Sequence, residues 1–269
     1  MVYVHGYSDR ETQRLMEQSL ILEELLHSGT SYPPGSRVLE VGCGVGAQTR
    51  ILLSRNPGIR LTSIDISGES IAKARSAVAS GGYGEVTFKQ EDILQPSFAP
   101  GSFDHIFVCF LLEHLEAPGQ APKTMAALLR EEGTLTVIEG DHGSGFWTPE
   151  TEASMAAWNG LIDSQRLQGH DPNIGRRLYP IMKESGIGIR EVAPLPAYAD
   201  QSNHRLLDGV VNQIITPMVF SAERHVLDHR LVAPTVWKKG LEELSHVANH
   251  EGGSFFYSWF KGVGVHIPA

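Results

Sequence analysis

Apolar and polar positions follow one another along this chain in two rhythms. Over residues 9–27, Leu15, Leu22, Leu25 and Leu26 recur among polar residues at helical spacing. This predicts an amphipathic helix that Ser8 or Asp9 can cap, and Tyr32-Pro33-Pro34-Gly35-Ser36 stops it and launches a strand. From there short apolar runs alternate with helical stretches. Strands are expected at Arg37–Val41, Arg60–Ile64, Val86–Gln90, His105–Phe110 and Thr134–Glu139. Helices are expected up to about Arg55, over Ser67–Ala79 and over Lys123–Arg130. The strands are too continuously apolar for a sheet with a wet face, so a parallel sheet covered on both sides is expected.

The second half breaks this rhythm. Residues 151–168 read as a helix with Met155, Trp158, Leu161 and Ile162 on one face. Ile174–Ser185 reads as another, Ile187–Val192 as a sixth strand, residues 204–248 as two or three helices, and Ser254–Val265 as a closing strand. The expected architecture is a doubly wound, mostly parallel, seven-stranded α/β sheet with helical insertions after strands five and six. The parts are a core with an N-terminal helix over residues 1–141 and a helical insertion over 142–172. A core helix and strand six follow over 173–194, then a second insertion over 195–250 and the last core strand over 251–269. In open α/β sheets ligands sit beyond the carboxyl ends of the strands, where both insertions leave the sheet. Both are therefore expected to form a lid; a dimer interface is the alternative, and the two roles can coexist.

Composition narrows the function classes. The chain has 269 residues, 41% of them hydrophobic, which is ample for a full core. A formal net charge of −9 argues against a dedicated nucleic-acid binder, because Arg176-Arg177 and Lys238-Lys239 are isolated basic pairs. The two cysteines, Cys43 and Cys109, fall at strand ends and suggest packing in a reducing compartment rather than a disulfide. Met1–Arg10 has no apolar stretch of signal-peptide length, and Ile106–Leu112 is too short to span a bilayer. A cytoplasmic protein with no membrane partner is expected.

The chemistry concentrates in Glu40-Val41-Gly42-Cys43-Gly44-Val45-Gly46, where a strand runs into three alternating glycines and then a helix. Glycine permits unusual dihedrals and lets a ligand approach the backbone; a tight turn without a ligand is the plain alternative. A dinucleotide fingerprint reads G-x-G-x-x-G and receives a pyrophosphate on its helix N-terminus. Here the spacing is G-x-G-x-G, with a carboxylate two residues ahead that would repel pyrophosphate and suit a cation. That favours S-adenosylmethionine (SAM) over NAD.

With Ser63-Ile64-Asp65-Ile66-Ser67 and Gln90-Glu91-Asp92-Ile93-Leu94 following in order, residues 9–140 resemble the class I SAM-dependent methyltransferases, and within them the small-molecule branch that includes quinone-biosynthesis enzymes. The resemblance implies that Gly42, Cys43, Gly44 and Gly46 pass under the methionine part of the cofactor, with Glu40 near its amino group. It implies Asp65 and Ile66 at the ribose, Asp92 and Ile93 at the adenine, and Cys109 and Phe110 along the methionine side. Tyr7 and Gln18 would reach the cofactor from the N-terminal segment. Helix capping is the plain reading of Asp65 and Asp92 taken singly. One departure is Arg130-Glu131-Glu132-Gly133, where this family usually has Pro-Gly-Gly.

Methyl transfer needs alignment, a dry pocket and, for a protonated nucleophile, a base. The base candidates are His142, oriented by Asp141, and His114 beside Glu113, all at the carboxyl ends of strands four and five. A capping role for His142 and Asp141 is the alternative. Phe146, Trp147, Trp158 and Tyr179 could wall an acceptor pocket or simply pack a core. Arg176 and Arg177 could hold an anionic substrate or form a solvated face. His225/His229 and His246/His250 have the four-residue spacing of some zinc sites but lack a glutamate or cysteine partner, so no metal is expected. The expected function is methylation of an O, N or C atom of a small molecule by an enzyme, in a monomer or homodimer. A protein or RNA methyltransferase, a non-catalytic SAM-binding regulator and an NAD-dependent oxidoreductase are the competing readings.

Overall fold

Every expected strand forms, and the fifth and sixth run further than their apolar runs suggest. The computed structural model describes residues 9–83 and 86–267. Its strands are β1 (Arg37–Val41), β2 (Arg60–Asp65), β3 (Val86–Gln90), β4 (Phe103–Cys109), β5 (Leu129–Thr148), β6 (Gly188–Asp200) and β7 (Ser254–Val265). The helices are α1 (Asp9–Ile21), α2 (Glu23–His27), α3 (Ala47–Arg55), α4 (Gly68–Ser80), α5 (Gln120–Leu128) and α6 (Glu152–Leu167). They continue as α7 (Leu178–Glu184), α8 (His204–Asp208), α9 (Thr216–Ser221), α10 (Glu223–Asp228) and α11 (Pro234–His246).

The sheet order is β3-β2-β1-β4-β5-β7-β6. β1 pairs in parallel with both β2 and β4, β2 with β3, and β4 with β5. β7 runs antiparallel to β5: Glu132 N donates to His266 O, His266 N to Gly133 O, and further along Ser258 N meets Ser144 Oγ. The order reverses direction at β1 and β4, which places a crevice beyond their carboxyl ends.

Alternation along β1 assigns its faces. Leu39 and Val41 enter a core with Ile106 and Val108 of β4, Met125 of α5, and Leu178 and Met182 of α7. Val38 and Glu40 point the other way, toward the α3 side. There Ile71, Ala74 and Val78 of α4 pack with Phe88 and Cys43. Both faces are covered, as the apolar strands required.

The residues standing where Pro-Gly-Gly is usual are already part of β5. The β4–β5 register jumps from Phe103↔Leu129 to His105↔Thr134, and Glu132 takes φ 61°. Asp104 anchors this irregularity: its carboxylate accepts from Arg37 N at 2.7 Å, Arg37 Nη2 at 3.0 Å and Arg130 Nε at 2.6 Å. These donors hold the Asp104 carboxyl well below the usual range. All of this lies at the amino ends of the strands, away from the crevice.

Chain contacts divide the molecule into two units. One comprises residues 23–140, 174–195 and 259–267 and carries the parallel sheet. Inside it Lys261 caps the end of α2, its ammonium donating to Leu26 O at 3.2 Å, Ser28 O at 2.7 Å and Thr30 Oγ1 at 2.6 Å. The other comprises residues 9–22, 141–173 and 196–258. In it α11 lies directly on α6: a Cβ at Gly240 would overlap the carbonyl of Ala153, so only glycine allows the backbones to meet. Trp147 stacks on Phe255, with centroids 5.9 Å apart and planes at 9°, and Trp158 meets Trp147 edge-on.

Several boundaries differ from the sequence expectation; residues 251–258, expected with the last core strand, group with the helical unit. The single helix expected over residues 9–27 is two, α1 and α2, broken at Leu22. Residues 9–22, expected with the core, group instead with the helical unit, where α1 packs against the π-helical turn Gly209–Ile215 and Ile21 lies 3.5 Å from a Cβ placed on Gly209. The insertion expected from residue 142 opens as strand, because β5 continues to Thr148. Among the described residues no helix is long and apolar enough to cross a membrane.

Candidate active site

The parallel-sheet unit gathers most of the cofactor residues named from the sequence. β1 ends at Val41, and the chain turns through Gly42, Gly44 and Gly46, at φ 74°, 51° and 85°, before α3 begins at Ala47. These are left-handed conformations that favour glycine. A Cβ on Gly46 would sit 3.0 Å from Ala74 Cα, so Gly46 lets α3 and α4 close on each other. Around Gly44 no heavy atom lies within 4 Å of a Cβ position. Gly46 is thus glycine for packing, whereas nothing in the protein's own packing demands one at Gly44.

Asp65, at the carboxyl end of β2, fastens this loop. Its Oδ2 accepts from Gly44 N at 2.9 Å and its Oδ1 from Ser67 N at 2.8 Å. Burial raises the Asp65 carboxyl, and the two N–H donors pull it back. The N-cap of α4 is Ser67, which accepts from Ser70 N, so Asp65 is not spent on capping. Ile66 beside it is 48% exposed, an uncovered apolar platform at the strand end.

Glu40 lies under the loop and is 2% exposed. Its Oε2 accepts from Thr49 Oγ1 and Ser63 Oγ, both at 2.6 Å. Its Oε1 is buried with no hydrogen-bond partner among the described residues. Burial pushes the Glu40 carboxyl up to about 7, against the pull of the two hydroxyls and with a smaller push from Asp65.

Beyond β3, Asp92 accepts from Leu94 N at 2.9 Å and shapes the turn. Ile93, expected against an adenine ring, is buried in the main core with Ile64 and Val108. At the end of β4, Phe110 adopts φ 57°, a strained conformation for a bulky side chain. Cys43 and Cys109 are buried, and burial pushes both thiols up, so they are packed neutral groups. Gln18 is buried in the other unit, where its Oε1 accepts from Arg14 Nη1 at 2.6 Å. Tyr7 lies outside the described residues.

Sequence reasoning placed Glu139 at the end of the fifth strand without giving it a role. It is fully buried, and its Oε1 accepts from Leu111 N at 3.0 Å and Leu112 N at 2.6 Å. The carboxylate thus ties down the turn that holds Phe110 in its strained state. Burial, and after it the charge of Glu113, push the Glu139 carboxyl well above its usual range. A glutamate inside the apolar run Leu135–Ile138 to Gly140 was the available signal, because a strand buried on both faces admits a carboxylate only with partners.

The base candidates separate by unit. His114 Nε2 lies 3.3 Å from Glu113 Oε1 in the parallel-sheet unit, and both are buried. In the helical unit, His142 Nδ1 is 2.7 Å from Tyr257 Oη, and Trp158 Nε1 donates to His142 O at 3.1 Å. Asp141, the expected orienter, is the residue before His142 in β5, and Tyr257 comes from β7. Trp147 and Trp158 belong to the aromatic core described above, while Phe146 and Tyr179 are 50% and 53% exposed. The His225 and His229 rings lie 3.9 Å apart, with His225 Nδ1 on Ser164 Oγ at 2.9 Å. Among the described residues no three His, Cys, Asp or Glu side chains come together as metal ligands. A cavity of about 690 Å³ opens by the first residues of β2, lined by Asn56, Pro57, Arg60, Tyr83 and Thr87 among others; among the described residues no carboxylate, histidine or cysteine lines it.

Comparison with known proteins finds relatives for the stretch that carries the glycine loop. The family described as "Methyltransferase domain" matches residues 39–137. The ubiquinone/menaquinone biosynthesis C-methyltransferase UbiE of Geotalea daltonii is 29% identical over 110 residues, 40% of this chain and 47% of that protein. An O-methyltransferase of Pyrenophora dematioidea is 26% identical over 182 residues, 67% of this chain and 64% of that protein. Several other curated relatives are likewise matched over less than half of their own length. The solved phosphoethanolamine N-methyltransferase 2 of Haemonchus contortus, in complex with S-adenosyl-L-methionine, shares the fold at TM-score 0.59 and 15% identity, covering 100% of this chain and 61% of that one. From within β1 to within β5, residues 39–137 of this chain are similar to the methyltransferase-domain family.

Proposed function

We propose that this protein is an enzyme that transfers the methyl group of SAM to an O, N or C atom of a small-molecule acceptor. One observation carries the reading: in a domain of methyltransferase sequence, a buried carboxylate with a bare oxygen lies under a glycine loop that is open at Gly44. That donor set fits SAM. Glu40 would face the cationic amino group, the backbone from Gly42 to Gly46 would pass along the methionine part, and Asp65 would accept the ribose hydroxyls with lone pairs left free by Gly44 and Ser67. Ile66 offers an apolar face beside the ribose position, and Asp92 stands at the next strand end for the adenine. Bound there, SAM supplies an electrophilic methyl on a cationic sulfur. A pyrophosphate-bearing dinucleotide would instead meet the Asp65 carboxylate and bring no cation to Glu40.

The chain's own contribution at the acceptor is a base. His114 has the arrangement a base requires, an imidazole held by the Glu113 carboxylate, at the carboxyl end of β4 beside the cofactor residues. His142 has the Tyr257 hydroxyl at its Nδ1. The acidic balance of −9 supports a small-molecule acceptor over a nucleic acid.

Calorimetry with SAM, S-adenosylhomocysteine and NAD tests the cofactor. Saturable binding of the first two and none of NAD is expected, and the reverse pattern would overturn the reading. Incubation with SAM and a small-metabolite extract tests the activity. Accumulation of S-adenosylhomocysteine marks an enzyme; tight binding without turnover in any extract marks a regulatory SAM-binding protein.

A further inference from the structure

We propose that binding of the methyl donor expels a proton from Glu40: its carboxyl is neutral in the ligand-free protein and ionises when the ligand's ammonium group arrives. The inference rests on the reading that this cradle holds SAM, and deepens it by naming Glu40 as the proton-releasing group.

The geometry sets the neutral state. A carboxylate has about four lone-pair sites to fill. Here Oε2 takes the hydroxyls of Thr49 on α3 and Ser63 on β2, and Oε1 takes none among the described residues. The other titratable groups acting on this carboxyl are Asp65 at the end of β2, the Cys43 thiol in the loop and the Cys109 thiol at the end of β4. Asp65 opposes ionisation, and neutral thiols do nothing to favour it. A buried anion with only two neutral donors is costly, and protonation relieves it. Burial places the titration of this carboxyl at about 7.

An ammonium group at the bare oxygen reverses the balance, because an opposite charge within a few ångströms favours the ionised form. A neutral acid and a cation become an ion pair, and the proton leaves to the buffer. With a ligand-free value of about 7 and a bound value in the ordinary carboxylate range, release is about 0.9 proton per ligand at pH 6 and about half a proton at pH 7. The α-amino group of the ligand titrates at about 7.7–8.0, so measurement belongs near pH 6, where the ligand is fully charged.

The test is calorimetry of SAM and S-adenosylhomocysteine at pH 6 in buffers of different ionisation enthalpy. The expected slope of binding enthalpy against buffer enthalpy corresponds to about 0.9 proton released for both ligands, since both carry the ammonium, and to almost none for Glu40→Gln. Ser63→Ala provides a second variant should Glu40→Gln fail to fold. It removes one of two donors, so it should move the pH midpoint of release upward. Binding without buffer dependence overturns the inference and leaves the cofactor assignment standing. Release with SAM but not with S-adenosylhomocysteine overturns it too, because the sulfonium would then be the trigger. The same release from Glu40→Gln transfers the proton to another group and also overturns it. If neither ligand binds the wild-type protein, the proposed function falls and this inference with it.

Discussion

A single methyl group separates the two roles assigned to the glycine loop. Gly44 and Gly46 both have positive φ, at 51° and 85°, so alanine at either costs about 1–2 kcal/mol in left-handed strain. Their surroundings differ. A Cβ at Gly44 meets no heavy atom within 4 Å, whereas at Gly46 it meets Ala74 Cα at 3.0 Å and Ala74 Cβ at 3.1 Å. That crowding adds a further cost of about 1–3 kcal/mol. For a chain of this size each kcal/mol lowers Tm by about 2–4 °C, so Gly44→Ala should melt about 2–8 °C low and Gly46→Ala lower still. Binding should rank the other way. If the cofactor's methionine part lies on Gly44, the new methyl occupies its place and weakens SAM by about 1–3 kcal/mol, roughly five- to 150-fold in Kd. Thermal melts of the ligand-free variants and calorimetry with SAM, at a temperature where both are folded, measure the two rankings. Wild-type affinity in Gly44→Ala would refute the cradle, and equal melting losses in the two variants would refute the packing argument.

Three further expectations follow from the same residues. Asp65→Ala removes the acceptor of Gly44 N and the proposed ribose ligand, and should weaken SAM by about 1–3 kcal/mol; unchanged calorimetric affinity would sink the ribose assignment. Glu139→Ala strands the N–H groups of Leu111 and Leu112, at about 1–3 kcal/mol each, whereas Glu139→Gln keeps a carbonyl acceptor for them. Urea melts should therefore rank Gln above Ala, and equal midpoints would mean the turn needs no anchor. The Glu40 carboxyl is raised from 4.5 to about 7, so the folded state binds the extra proton between these values. Its stabilising contribution is whole below about 4.5 and is lost as pH rises through about 7, an upper bound on the order of 3 kcal/mol. Glu40→Gln should flatten the pH dependence of ligand-free stability by that amount, and curves of equal slope for the two proteins would place the proton elsewhere.

The N-terminal half was legible because its information is local. Apolar runs four to seven residues long, separated by helical periods, specify a covered parallel sheet whatever the side chains later touch. Gly42, Gly44 and Gly46 announce positive φ, and a carboxylate next to them announces a cation, because neither feature is cheap without a use. The second half was less legible for the same reason reversed. β5 and β6 outrun their apolar segments because pairing with β7 satisfies their backbones, a non-local fact. α1 went to the helical unit because its partner, the π-helical turn at Gly209–Ile215, lies some two hundred residues away.

What the amino-acid order alone determined, then, is the existence of the seven strands and the identity of Glu40, Asp65 and the glycines. Tertiary structure alone decided which atom is bare and which is taken. It brought the Tyr257 hydroxyl, 115 residues away in sequence, to His142 Nδ1. It sank Ile93 into the core, and it made Glu139 the anchor of the turn at Phe110. Hydrogen bonds and burial connect residues distant in sequence, and a carboxylate's charge depends on those neighbours, so no reading of the chain in order could reach them.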